Sequence, residues 1–151
     1  MFEFVQKISF NLENETATGY AFVSNEHPFF WDHFEKHPVL PATIAIEIGA
    51  QIAGPLGEEL HAFRYSEQKL ALLAMVQSVK LHRPVLLPAN LDIQVETKRF
   101  EKNYFEARMN VYCNEEKVLN GSIVFSLQDY RNDWAVAIQN RNVRLKQWQN
   151  G

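Results

Sequence analysis

Two side chains in this sequence stand out for the chemistry they can do. His33 sits in His-Pro-Phe-Phe-Trp-Asp-His-Phe (residues 27–34), and Pro38 and Pro41 follow closely. Aromatics around a histidine on a proline-stiffened loop are the makings of a pocket wall. Glu47 is the only ionisable residue between Val39 and Gly57, in a run otherwise of Ile, Ala, Gly, Pro, Leu and a few uncharged polar residues. An ionised carboxylate in such surroundings loses hydration unless it is paired or takes up a proton. Composition leaves two readings of Glu47 equally open, a hydrogen-bonded structural acid or a catalytic one. A lone loop histidine is by itself more often a packing residue than a catalyst, and three histidines at 27, 33 and 37 lack a recognised zinc spacing. No metal is implied.

The elements that must position these residues can be read from periodicity. From Pro41 to Gly57 the chain reads PATIAIEIGAQIAGPLG. Proline suits the first turn of a helix, where its missing N–H costs nothing. Apolar residues on every side predict a helix buried all round. Gly54-Pro55 is expected to end or kink it, with Leu56 to Arg64 resuming as a more exposed helix. Leu91–Glu96 and Phe105–Cys113 alternate apolar and polar residues, which predicts strands with one wet face. Val118–Leu127 is a third strand with Ile123, Phe125 and Leu127 inward, joined to the second by a turn over Asn114–Lys117. Leu70–Val79 is almost continuously apolar and reads as a strand covered on both sides. A turn is expected at Pro88-Ala89-Asn90. Phe2–Phe10 and Thr16–Val23 are weaker strand candidates. In the polar tail (130–151), Trp134, Ile138, Leu145 and Trp148 are loosely spaced for one helical face. One buried helix amid five or more mostly antiparallel strands gives an α+β domain, and 151 residues suit a single one.

Composition narrows the function classes. Fifteen basic against 18 acidic residues, a formal net charge of -3, lack the basic excess of a nucleic-acid-binding domain. The longest apolar stretch is interrupted by Thr43, Glu47 and Gln51, which is poor for a membrane span. The start, MFEFVQK, lacks the basic-then-apolar pattern of a signal peptide, so a cytoplasmic location is expected. The single cysteine, Cys113, excludes an intrachain disulfide. It falls on the inward phase of a strand, where an inert thiol rather than a nucleophile is expected.

Taken together, PFFWDHFEKHPVLPATIAIEIGAQIAG (28–54) resembles the active-site segment of the β-hydroxyacyl-acyl carrier protein dehydratases, which have the hot-dog fold. That family's pattern is P-F-F-x-G-H-F-P-G-x-P-x-x-P-G, then an apolar helix carrying E-x-x-A-Q. Pro28, Phe29, Phe30, His33, Phe34, Pro38, Pro41, Glu47, Ala50 and Gln51 match it. The interval from His33 to Glu47, 47 − 33 = 14 residues, is also the family's. His82-Arg83-Pro84-Val85-Leu86-Leu87-Pro88 resembles its R-R-P-V-x-P strand. Asp32, Glu35, Lys36 and Ala42 depart from it, standing where the family usually has Gly, Pro, Gly and Gly. The chain is read as a divergent member, with an antiparallel sheet wrapped around a central helix.

The resemblance implies elimination of water from a β-hydroxyacyl thioester to give a trans-2-enoyl thioester, in fatty acid-like or polyene/polyketide synthesis. His33 and Glu47 are then the catalytic pair, and backbone N–H groups near Ala42 bind the thioester oxygen. Phe29, Phe30, Phe34, Pro41 and Gln51 line the substrate pocket. Desolvation disfavours both ions of the pair, so an apolar helix favours a neutral acid beside a neutral imidazole. No cofactor is implied beyond the phosphopantetheine that carries the substrate, on acyl carrier protein or coenzyme A. Lys80, Arg83 and Arg99, with His82 and Lys98, are candidates for docking an acidic carrier, against the plainer reading of a solvated strand face. In the family the histidine and the acid meet across a subunit interface, so a homodimer is expected, assembled further or not. Two rival readings remain: a hot-dog acyl thioesterase, and a non-catalytic acyl-binding partner subunit.

Overall fold

A computed structural model describes residues 4–26, 30 and 38–151 of the chain. Six strands form one antiparallel sheet: β1 (Val5–Asn11), β2 (Thr16–Val23), β3 (Leu70–Leu81), β4 (Ala89–Glu101), β5 (Tyr104–Cys113) and β6 (Glu116–Gln128), in the spatial order β1-β2-β4-β5-β6-β3. Helix α1 (Ala42–Tyr65) packs into the sheet, and a second helix, α2 (Ala135–Asn150), follows a short 3-10 turn at Asn132–Trp134. This is the hot-dog arrangement.

The alternation read in the sequence decides which sheet face meets the helix. Leu91, Ile93 and Val95 are buried while Asp92, Gln94 and Glu96 are exposed, and Phe105, Ala107, Met109 and Val111 are buried on β5. The β5–β6 hairpin turns at Asn114 and Glu115, both at positive φ (52° and 66°), which is the twist a two-residue hairpin needs. The expected turn over 88–90 is shifted: β4 already begins at Ala89, so Asn90 is in the ladder opposite Phe22.

Helix α1 lies along β5, and two glycines fix its height above the sheet. A methyl at Gly49 would come within 2.3 Å of the Met109 sulfur, and one at Gly57 within 2.6 Å of the Phe105 ring. Eight helical residues rise about 12 Å, and four strand residues span about 13 Å. The two contacts therefore coincide only if helix and strand run in opposite directions, which they do.

Three expectations about helices and strands are corrected here. Of the two outcomes expected at Gly54-Pro55, an end or a kink, the end does not occur: α1 runs for 24 residues with Pro55 inside it. The lost hydrogen bond and ring clash, about 3 kcal/mol in an isolated helix, are offset by burial of Ile52, Ala53, Gly54, Pro55 and Leu56. The continuation is not an exposed helix either, since Glu58, Leu60 and His61 are buried and exposure begins only at Phe63. Nor is β3 covered on both sides. Among the described residues it is the edge strand, paired only with β6, and Leu72, Leu73, Met75, Val76 and Leu81 are exposed.

The tail is a helix, as its spacing suggested, with Ile138 and Leu145 buried and Trp148 packed on the core. It leaves the sheet after β6, crosses α1 at the Arg141–Glu58 ion pair and reaches β1. No helix among the described residues is long and apolar enough to cross a membrane.

Gly57→Ala gives a test of the helix height. Alanine gains up to about 1 kcal/mol in helix propensity, but overpacking against a fully buried ring costs about 1–3 kcal/mol. Urea unfolding should show a net loss; a variant more stable than the native protein would mean that the ring yields.

Candidate active site

The start of α1 is held by two short backbone pairings. Leu40 N–H donates to the Val85 carbonyl (2.8 Å) and Leu87 N–H to the Pro38 carbonyl (2.9 Å). The Arg-Pro-Val-Leu-Leu-Pro motif thus straps down the segment that leads into the helix. Pro41 caps the helix and Ala42 is its first residue, one position later than expected for the proline. The Pro41 carbonyl accepts from Ile44 N–H (3.0 Å) and Ala45 N–H (3.2 Å). No acidic side chain occupies the first turn. That leaves the positive end of the helix dipole, and the N–H groups that have no intrahelical acceptor, as the local source of anion stabilisation.

Glu47 lies in the second turn. Its Oε1 accepts from the side-chain amide of Gln51, one turn on, at 3.0 Å. Expected to be sunk among apolar groups, it is instead half-buried, and the helix is not buried all round. Ala42, Ile46, Glu47, Ala50 and Gln51 are half-buried and Thr43 is exposed, a continuous stripe at helical spacing. The stripe is uncovered because β3, whose chain runs back beside α1, is the last strand of the sheet.

The other expected site residues fall as follows. Phe30 is fully buried, against Phe4 (ring centroids 6.4 Å apart). Pro41 is half-buried at the helix start. His33, Phe29 and Phe34 lie outside the described residues. Of the candidate docking residues, Arg83 is paired with Glu116, Lys98 with Glu106 (3.6 Å) and Arg99 with Glu101 (3.1 Å). The register puts Lys80 in one row with Asn120, Asn110 and Gln94. Arg99 is five residues beyond Gln94, about 16 Å along the strand, so Lys80 and Arg99 do not make one compact patch. Cys113 is half-buried. A groove of about 750 Å³, edged by Lys7, Tyr20, Asp92, Tyr112 and Trp148, lies on the outer face of the sheet, away from Glu47.

A second helix carboxylate, Glu58, was hidden in the sequence by the expectation of an exposed helix after Pro55. It is buried, accepts from Ala71 N–H at 2.8 Å and pairs with Arg141 of α2. Its spacing from Glu47, 58 − 47 = 11 residues, was the available signal. Eleven residues bring an α-helix back to within about 20° of the same face.

These features agree with the comparisons to known proteins. The FabA-like domain family matches residues 1–122. A 3-hydroxyacyl-[acyl-carrier-protein] dehydratase FabZ of Clostridioides difficile (strain 630) is 29% identical over 126 residues, covering 83% of this chain and 87% of that one. Its counterpart from Xanthomonas oryzae pv. oryzae (strain PXO99A) is 34% identical over 121 residues, covering 80% and 74%. Among solved structures, the dehydratase heterocomplex ApeI:P from Xenorhabdus doucetiae superposes with a TM-score of 0.66 at 17% identity, covering 91% of this chain and 90% of that one, which supports the fold.

Burial holds the Glu58 carboxyl above its ordinary value of 4.5, and Arg141 and the Ala71 N–H lower it only in part. A carboxyl raised on folding contributes stability at low pH that is lost as pH rises from the unfolded value through the folded one. Melting curves of native protein and Glu58→Gln should therefore show the native protein losing stability relative to the variant across that rise. A difference independent of pH would remove the raised carboxyl. With residues 1–122 matched and relatives at this identity, the chain belongs to the FabA-like dehydratase family.

Proposed function

We propose that this chain removes water from β-hydroxyacyl thioesters, giving trans-2-enoyl thioesters, as a homodimer with His33 and Glu47 in each site. The observation that carries this reading is Glu47 itself. It is a lone carboxylate within the E-x-x-A-Q segment of α1, oriented by Gln51, on a helix face left open beside a bare apolar strand.

The chemistry follows from these positions. His33 takes a proton from the carbon next to the carbonyl. The electron pair of that C–H bond forms the double bond, and the C–O bond to the β-hydroxyl breaks. Neutral Glu47 protonates the departing oxygen, which leaves as water. Because the Gln51 amide donates to Oε1, Oε2 is the oxygen left to serve as the proton donor in this reading. Charge growing on the thioester oxygen is met by the N-terminal N–H groups of α1 near Ala42. The carrier named for the FabZ relatives is acyl carrier protein; a phosphopantetheine thioester of that carrier, or of coenzyme A, presents the same reacting atoms. A cytoplasmic location fits such carriers.

The bare edge supports the dimer. A strand with exposed apolar side chains and unpaired backbone groups on its outer side is a site for pairing with another chain. A second copy set against β3 would cover Leu72, Leu73, Met75 and Val76.

Two experiments test the reading. Glu47→Gln and His33→Ala, each checked for an unchanged fold, should lose at least about 100-fold in kcat/KM with a short β-hydroxyacyl thioester, the scale of an acid–base group. Appearance of enoyl absorbance without free thiol separates dehydration from hydrolysis, and near-native turnover in either variant would remove its residue from the mechanism. Met75→Lys with Val76→Lys should turn the sedimenting dimer into monomer and abolish turnover. A fully active monomer would refute the shared site.

A further inference from the structure

The groove on the outer face of the sheet has no part in the dehydration chemistry at Glu47. Strand register describes its walls. Lys7, Tyr20, Asp92 and Tyr112 are paired in turn across β1, β2, β4 and β5, so they form one row on the outer face. Ser9, Thr18 and Gln94 form the next row, two residues along and about 7 Å away. Trp148 of α2 and Glu115 of the β5–β6 turn complete the lining. The space between them, about 750 Å³, is of the size that small molecules occupy. The family match ends at residue 122, so the α2 side of the groove lies outside it.

Charges and rings in the first row select a ligand class. Asp92 stands between two tyrosines, one on each neighbouring strand, about 4.8 Å away at the backbone. Among the described residues, neither the Asp92 nor the Glu115 carboxylate is in an ion pair. The row's lysines, Lys7 and Lys117, are each two strands from Asp92, about 10 Å at the backbone. Lys117 is turned to Tyr112 instead, with its ammonium 5.9 Å from the ring centre. It reaches that ring from the β6 side, whereas Asp92 is on the β4 side. Tyr112 thus already attracts one cation. Tyr20 donates its hydroxyl to Asn90 Oδ1, so the face of its ring is what it has left to offer. Two ring faces and a carboxylate without a counter-ion all favour positive charge at the same place.

We propose that this groove binds small organic ammonium ions, with the cation seated over Asp92 between Tyr20 and Tyr112. Neither ring nor carboxylate requires N–H donors on the cation, so a methylated ammonium is accepted as well as a primary one. An anion meets Asp92 and Glu115 in the same groove, against Lys7 alone, and is disfavoured.

The test uses three probes that share a hydroxyethyl arm and differ in the charge at its end. They are choline, its uncharged analogue in which carbon replaces nitrogen, and isethionate. Calorimetric titration of the full chain should show choline binding at least about tenfold more tightly than the uncharged analogue, with isethionate weaker still. Asp92→Asn, a change of nearly equal size at an exposed position, should weaken choline at least about threefold without a matching change for the analogue. Tyr112→Leu should do the same, and Tyr112→Phe, which keeps the ring, should retain the native affinity. If Tyr112→Leu does not stay folded, Asp92→Asn decides. Equal affinity for choline and its analogue, isethionate binding as tightly as choline, no binding of choline, or choline affinity indifferent to Asp92→Asn overturns the proposal.

Discussion

The structure depends on the close seating of α1 on β5. At Gly49 and Gly57 the helix backbone rides directly on Met109 and Phe105, with no Cβ between. This contact sets the helix's height and direction, and so decides which residues face the sheet and which face away. Ile44, Ile48, Ile52 and Leu56 go inward. Glu47 and Gln51 are carried to the flank, where the sheet has no further strand among the described residues. A helix lifted by one methyl would move the carboxylate and the N-terminal N–H groups together, since both belong to one rigid rod.

Polar groups on this rod are treated differently at its two ends. Near its start, Glu47 is half-buried with a single amide partner, an arrangement that leaves one carboxyl oxygen to act. Three turns on, Glu58 is enclosed and holds both a backbone N–H and a guanidinium. Similar side chains on the same face thus differ in how many of their lone pairs the protein has already used. Both partners of Glu58 sit on Oε1, so the two acids differ in burial and in charge pairing rather than in which oxygen is left over.

Much of the sheet was legible because period-two patterning survives wherever one face is wet. Leu91–Glu96 and Phe105–Cys113 were read correctly for that reason, as was the turn between β5 and β6. The helical tail was legible only as a loose spacing. What misled was local chemistry overruled by tertiary packing. Gly54-Pro55 carries a strong stop signal, yet burial against Phe125 keeps the helix intact. The apolar run of β3 reads as a strand covered on both sides, whereas among the described residues of one chain much of it is exposed. Apolarity reports that a surface is to be covered and does not say by which chain. At the candidate site, composition and motif single out Glu47, and Gln51, read from the motif as lining the substrate pocket, is its amide partner. Glu58 was missed because its partner, Arg141, is 83 residues away in sequence. His33 lies outside the described residues, so its motif alone speaks for it.

The two margins of the sheet are not alike. At β1, the terminal turn of α2 folds over the strand, bringing Gly151 and Trp148 against it; at β3 no described residue intervenes. Association through a lone free margin is self-limiting: once two chains have joined there, neither offers a place for a third, and growth into a filament is blocked by geometry rather than by affinity.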